Sequence, residues 1–306
     1  AKRSPILPFL KYYGYPAETH RVQTIDGYIL TLHRIPNKKS KRPPVLIMHG
    51  ILDSSFTWLL TGPQTALGFK LFDSGYDVWL GNFRGNVYSQ SHNWLSTDHD
   101  EYWDFSWDEM GKRDLPAMVD YVLHRTGRPK LFHIGHSMGT TTFSFLLHQC
   151  PVTTKNLSPT SRCHLLDTGV TRPVSSGRFW PAHIPAGTSV KAFNHYTQLM
   201  KSGRFCSYDS HDMKKNYLRY GTARPPEYNV SAITVPVQFY YAANDAVSVP
   251  MDVIKLYTQL RNPIGLHLVQ DTLFNHIDFT IDPKDCATHI ILQKLLKPRE
   301  NSNLQR

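Results

Sequence analysis

The chain has 306 residues, 41% hydrophobic and 19% charged, which is ordinary for a folded protein and ample for a buried core. Its 34 Lys and Arg against 24 Asp and Glu leave a formal charge of +10, spread over short groups such as Lys38-Lys39, Lys214-Lys215 and Lys297 with Arg299. That scatter argues against a nucleic-acid stripe and suits diffuse attraction to an anionic lipid surface; no window approaches the ~18 apolar residues that a bilayer span needs.

Thr19 to Pro36 contains two alternating runs on either side of Asp26-Gly27, the pattern of a β-hairpin. Pro43 to Gly50 (PPVLIMHG) is a short apolar run ending in His-Gly, and Tyr76 to Asn82 (YDVWLGN) is a second; both read as buried parallel strands. Met110, Leu115, Met118, Val119 and Val122 then recur at helical spacing up to Gly127, with Pro116 at a kink or a helix start. A strand in KLFHIGHS (Lys130–Ser137) runs directly into a helix in MGTTTFSFLLHQ (Met138–Gln149). The stretch from Cys150 to Gly187 is rich in Pro, Ser and Thr, and only Cys163–Leu166 hints at a strand. Further strands are expected over Val235–Asp245 and Gly265–Asp271, with helices from about Pro250 to Leu260 and around Asp285–Leu296. Strands alternating with helices imply one α/β domain over 1–306, built on a mostly parallel sheet with helices on both faces. Reactive groups in such a sheet collect at the carboxyl ends of the strands.

Ser137 lies in Gly-His-Ser-Met-Gly between a strand and a helix, the context of a nucleophile elbow in which Gly135 and Gly139 avoid neighbouring backbone. A serine hydroxyl needs a base, and the base needs an orienting acid; the expected chain order is Ser, acid, His. Asp245 ends one late strand and His276 follows the next, so Ser137, Asp245 and His276 fall at the same sheet edge. Asp271 and Asp278 flank His276 as alternative acids, and Asn244 is a weaker one because an amide does not stabilise an imidazolium. Two backbone donors are expected at the developing oxyanion: Met138 N–H, and Ile51 N–H from the His49-Gly50 turn, with Leu52 as its neighbour. His133 and His136, three apart on a strand, point to opposite faces; they read as structural rather than as a metal pair. Neither a metal nor an organic cofactor is needed for this chemistry.

Other signals bear on location. The chain begins at Ala1 with no apolar signal core after it, which fits a mature chain. Asn156 and Asn229 head glycosylation sequons, with Pro159 after the first making it the poorer acceptor. Cys150, Cys163, Cys206 and Cys286 have no metal-ligand spacing and permit isolated thiols or at most two disulfides, in three pairings.

Several stretches resemble the animal acid lipase family: Gly14–Pro36, His49–Trp58 (HGILDSSFTW), Gly75–Ser89 (GYDVWLGNFRGNVYS), Pro185–Phe205, Pro225–Val237 and Phe274–Phe279 (FNHIDF). The resemblance implies a secreted or lysosomal α/β-hydrolase that cleaves triacylglycerols or cholesteryl esters, often at acidic pH. It places Ser137, Asp245 and His276 in the triad, with Ile51 and Met138 at the oxyanion hole. Two departures stand out. Met138 occupies a position that is usually Gln in the family. The family also carries a long helical cap before PAGTSV, whereas here residues 150–187 form a residual, shortened cap. The expected function is a serine carboxylester hydrolase acting on lipid or other apolar esters. The competing expectation is a catalytically weak, lipase-derived lipid-binding or carrier protein.

Overall fold

The computed structural model describes residues 5–149, 163–166, 185–281 and 284–296. β1 (Glu18–Gln23) and β2 (Tyr28–Ile35) pair antiparallel across the Asp26-Gly27 turn, where Gly27 takes a φ of 95°. β3 (Val45–Met48), β4 (Val78–Leu80), β6 (Phe132–His136), β7 (Cys163–Leu166), β8 (Val237–Ala242) and β9 (Pro263–Val269) are all parallel. The sheet order is β1-β2-β4-β3-β6-β7-β8-β9, and β5 (Ser91–His92) pairs with the start of β2. The order reverses around β3, so loops leaving β3 and β6 diverge at the carboxyl edge, where a doubly wound sheet opens a crevice. The hint of a strand at Cys163–Leu166 is borne out: β7 fills the place between β6 and β8.

Side-chain alternation explains why both faces are covered. On β3, Val45 and Ile47 join a core with α1 (Ile6–Tyr12), α2 (Leu67–Asp73) and the last helix, here α10 (Cys286–Leu296). Leu46 and Met48 turn to the other face, where they meet Trp79 and the helices that follow β4. Successive strand residues point to opposite faces, so a run that is apolar throughout needs cover on both sides.

The long helix expected before Gly127 starts at a capping box, with the Ser106 hydroxyl accepting from Asp108 N–H and Glu109 reaching back to Ser106 N–H. It runs as α3 (Trp107–Glu109), a π turn (Met110–Asp114) and α4 (Leu115–Thr126), then stops at Gly127 with a φ of 63°. Pro116 lacks the N–H that would serve the carbonyl of Lys112, and the break in the ladder falls at that π turn. After the elbow, α5 (Met138–Gln149) begins immediately.

Two helices lie in the middle section that sequence periodicity left unassigned. α6 (Val190–Ser202) is capped by the Ser189 hydroxyl and ends at Gly203; α7 (Met213–Tyr220) is capped by Asp212 and ends at Gly221. Both glycines have positive φ, so the stop signals were present in the sequence. Weak apolar faces hid them: Met200, Met213, Tyr217 and Leu218 are exposed. α8 (Pro250–Gln259) connects β8 to β9, and a short α9 (Asp278–Ile281) follows His276. The reduced cap expected over 150–187 lies almost wholly outside the described residues, as do Asn156 and Cys150. Among the described residues, no helix is long and apolar enough to cross a membrane.

Candidate active site

The site is built at the carboxyl edge of the parallel strands. Ser137 leaves β6 with a φ of 53°, a left-handed conformation that costs a non-glycine residue strain. The helix that follows holds it there: Thr140 and Thr141 N–H donate to the Ser137 carbonyl at 2.8 and 3.1 Å. The flanking glycines let the turn close. A Cβ on Gly135 would lie 2.6 Å from the Gly139 carbonyl oxygen, and one on Gly139 would lie 2.7 Å from that of Met48. The elbow is thus pressed against the end of β3, next to the turn that follows it.

That turn, His49 to Asp53, is fixed by a buried histidine. A carbonyl accepts only, so the 2.7 Å contact of His49 Nδ1 with the Gly50 carbonyl places the proton on Nδ1. Nε2 then accepts from Phe83 N–H at 3.2 Å and Asn86 Nδ2 at 3.1 Å. Burial lowers the His49 pKa to about 4, keeping the ring in this neutral form. Leu52 is held at a φ of 60°, and its carbonyl accepts from Ala186 N–H at 2.7 Å. Among the described residues, neither Ile51 nor Leu52 donates its N–H to a backbone carbonyl, and Met138 N–H is in the first turn of α5. The turn adjoins the elbow: a Cβ on Gly50 would lie 3.1 Å from Ser137 Cβ.

Asp245 follows β8 and is almost fully buried, with one carboxylate oxygen accepting from Val247 N–H at 3.0 Å and Ser248 N–H at 2.7 Å. The other oxygen, Oδ2, lies 3.8 Å from His276 Nδ1. Asn244 Nδ2 donates to the Leu273 carbonyl at 3.3 Å, tying the two loops together. Of the alternative acids, Asp271 bonds Leu273 N–H and Lys284, and Asp278 caps its own turn by accepting from Asn275 N–H. Asp245 thus presents a carboxylate oxygen to the His276 ring. Burial holds the His276 imidazole neutral well below the ordinary histidine range, and the nearby His136 ring acts in the same direction.

His133 and His136 point to opposite faces as their spacing requires. His133 stacks on Phe143 with ring centroids 4.1 Å apart. His136 lies on the other face, 5.3 Å from the His276 ring, so the structure brings it to the site. Its contact with the histidine loop is long-range in sequence and had no signature beyond its place next to Ser137. Among the described residues, no group of three or more His, Cys, Asp or Glu side chains is placed to hold a metal ion. Asn229 is exposed, and Ser231 Oγ donates to its Oδ1 at 2.6 Å. Cys206 is a buried thiol outside any disulfide.

Comparison with known proteins places the fold and the sequence together. Residues 8–62 match the family described as a partial α/β-hydrolase lipase region, and residues 43–152 match the α/β hydrolase fold. Lipase 1 of Drosophila melanogaster is 37% identical over 350 aligned positions, covering 95% of this chain and 79% of that protein. Gastric triacylglycerol lipase of Bos taurus is 34% identical, covering 88% of this chain and 85% of that protein. The lysosomal acid lipase/cholesteryl ester hydrolase of Homo sapiens is 31% identical, covering 88% and 84%. The 350 positions aligned with the fly protein exceed the 306 residues here, so that relative carries interior residues with no counterpart in this chain. Among solved structures, a thermophilic esterase from Thermogutta terrifontis has a TM-score of 0.54 at 15% identity, covering 91% of this chain and 98% of its own, which is a likeness of fold. The chain belongs to the animal acid lipase family of α/β-hydrolases, the family of the gastric and lysosomal lipases.

Proposed function

We propose that this protein is a serine carboxylester hydrolase acting on lipid or other apolar esters. The observation that carries the reading is the Asp245–His276 pair, 3.8 Å apart, at the sheet edge where Ser137 is held in a strained elbow. In this reading Ser137 Oγ attacks the ester carbonyl carbon while His276 Nε2 takes its proton. The oxyanion is met by the N–H groups of Met138 and Ile51. Collapse breaks the ester C–O bond, and His276 returns the proton to the leaving alcohol. Water, deprotonated by His276, then attacks the acyl-enzyme; the acid leaves and Ser137 regains its proton. Asp245 orients Nδ1–H and stabilises the imidazolium, and binding of substrate tightens the 3.8 Å separation into a hydrogen bond.

An apolar substrate suits the rim. Val247 and Leu273, on the loops that carry Asp245 and His276, are 59% and 50% exposed, and Met251, in the first turn of α8, is 72% exposed. These residues and the net charge of +10 favour transient contact with a lipid surface. The relatives' triacylglycerol and cholesteryl ester substrates, and a secreted or lysosomal location with glycosylation at Asn229, extend to this chain as part of the proposal. The interior residues missing relative to the fly lipase fit a shortened cap over 150–187, which leaves the site open to short and varied esters.

The test is hydrolysis of p-nitrophenyl esters of increasing chain length across a pH series. Short esters are expected to turn over faster than long insoluble ones. The sign of the pH dependence follows from His276: its pKa is lowered, so the neutral base persists into acid, and the acid limb of kcat/KM falls below the ordinary imidazole value of about 6.5. Lipid binding without turnover of any ester would instead establish the carrier reading.

A further inference from the structure

His136 touches each arm of the site. It is the residue before Ser137, so its backbone forms the last step of β6 into the elbow. Its Nε2 lies 3.3 Å from the carbonyl oxygen of His276; the carbonyl can only accept, so Nε2 carries the proton and donates. Its Nδ1 lies 2.9 Å from where a Cβ on Gly50 would stand, and Ser137 Cβ lies 3.1 Å from that same point. The ring is 5% exposed and closes edge-on against Trp58 at 6.1 Å between centroids. One buried imidazole thus packs under the oxyanion turn, adjoins the nucleophile and holds the backbone of the base. The Asp245 side reaches His276 through its ring; His136 reaches it through its main chain.

We infer that His136 is a positioning residue for the reaction, a Nε2–H donor that fixes the backbone of His276 against the elbow and sets the reach of the base to Ser137. The inference rests on the proposed roles of Ser137 and His276. Met and Gln have similar reach at this position, but only Gln keeps an N–H donor. His136→Met is expected to lower kcat for a soluble short-chain ester by about 10- to 100-fold with KM within about twofold, the size of effect that a misplacement of about 1 Å produces. His136→Gln is expected to recover at least half of that loss on a logarithmic scale. The acid limb of kcat/KM should shift in His136→Met and return toward wild type in His136→Gln, which lost packing alone would not produce. A second measurement uses the native protein: nitrogen NMR of labelled histidine should show His136 as the Nε2–H tautomer that donates to the His276 carbonyl, kept neutral by burial from about pH 5 to 8. The inference is overturned if His136→Met keeps wild-type kcat, if Met and Gln lose activity equally, or if NMR finds the Nδ1–H tautomer. Should His136→Met fail to fold, the tautomer decides. Failure of the underlying reading has a separate mark: Ser137→Ala would then retain full turnover, whereas failure of this inference leaves Ser137→Ala inactive.

Discussion

Ser137→Ala is expected to lower kcat toward a soluble ester by about 10⁴- to 10⁶-fold, with KM changed by no more than about threefold. The residue sits at a φ of 53°, where Ala fits no worse than Ser, so the substitution removes the hydroxyl without reshaping the elbow. The clamp from Thr140 and Thr141 is made to the Ser137 carbonyl and survives the change. Gly135 and Gly139 continue to accommodate the turn, because their contacts are with backbone rather than with the serine side chain. What remains in the variant is the His49–Asp53 turn, the first-turn N–H groups of α5 and the His276–Asp245 pair, which in the proposed mechanism leave a small residual rate with water as nucleophile. Thermal unfolding should be close to wild type, since the backbone conformation and the contacts that hold the elbow are unchanged. A variant that kept wild-type turnover would remove Ser137 from the mechanism.

The largest stability effect is expected at Arg84. Its side chain is 1% exposed and lies between two carboxylates: Nε donates to Asp114 Oδ1 at 2.8 Å, and Nη1 to Asp26 Oδ2 at 2.7 Å. Its own N–H donates to Asp114 Oδ2 at 3.0 Å, and its guanidinium lies 3.9 Å from the centroid of the Tyr28 ring. Asp26 also takes Arg113 at 2.6 Å. The cluster joins the β1–β2 turn, the loop after β4 and the π turn. Burial is the main influence on the Asp114 carboxyl and raises its pKa, against the opposing pull of Arg84. Arg84→Met fills similar space but leaves Asp114 buried without its cation, so a loss of about 3–5 kcal/mol is expected in urea unfolding. Asp114→Leu added to Arg84→Met should recover part of that loss, because no uncompensated buried charge remains. Equal stability of Arg84→Met and wild type would show that the network is energetically neutral. The substitution should also weaken ester turnover at ordinary temperature, since Phe83, the preceding residue, donates its N–H to His49, which fixes the turn from His49 to Asp53 beside the elbow.

The inner parallel strands β3, β4, β6 and β8 were legible in the sequence because each is a short apolar run bounded by turn residues, and nearly every residue in them is buried. Ser137, Asp245 and His276 were legible for the same reason: each follows a strand, and parallel strands bring their carboxyl ends to one edge. The spacing of 108 residues between Ser137 and Asp245 hides the proximity that the β6-β7-β8 order creates. Other features depend on contacts that no local pattern encodes. His136 was read as structural from strand periodicity, and only the fold reveals that the face opposite His133 meets the loop after β9. The middle helices α6 and α7 were hidden because they are polar overall and bury few side chains, Ala192 and His195 in one and Asn216 in the other, although their Ser189, Asp212, Gly203 and Gly221 caps were in view. Arg84 stood in GNFRGN as part of a family resemblance, but its buried partners, Asp26 and Asp114, come from separate elements 58 and 30 residues away.

The most direct test of the central claim is covalent labelling by a fluorophosphonate, followed by mass spectrometry of the digested protein. Attack by an activated serine expels fluoride and leaves a stable phosphonyl ester. The account predicts one adduct per chain, on Ser137, formed by wild type and absent from Ser137→Ala. Full ester hydrolysis with no adduct, or with the adduct on another residue, would contradict it.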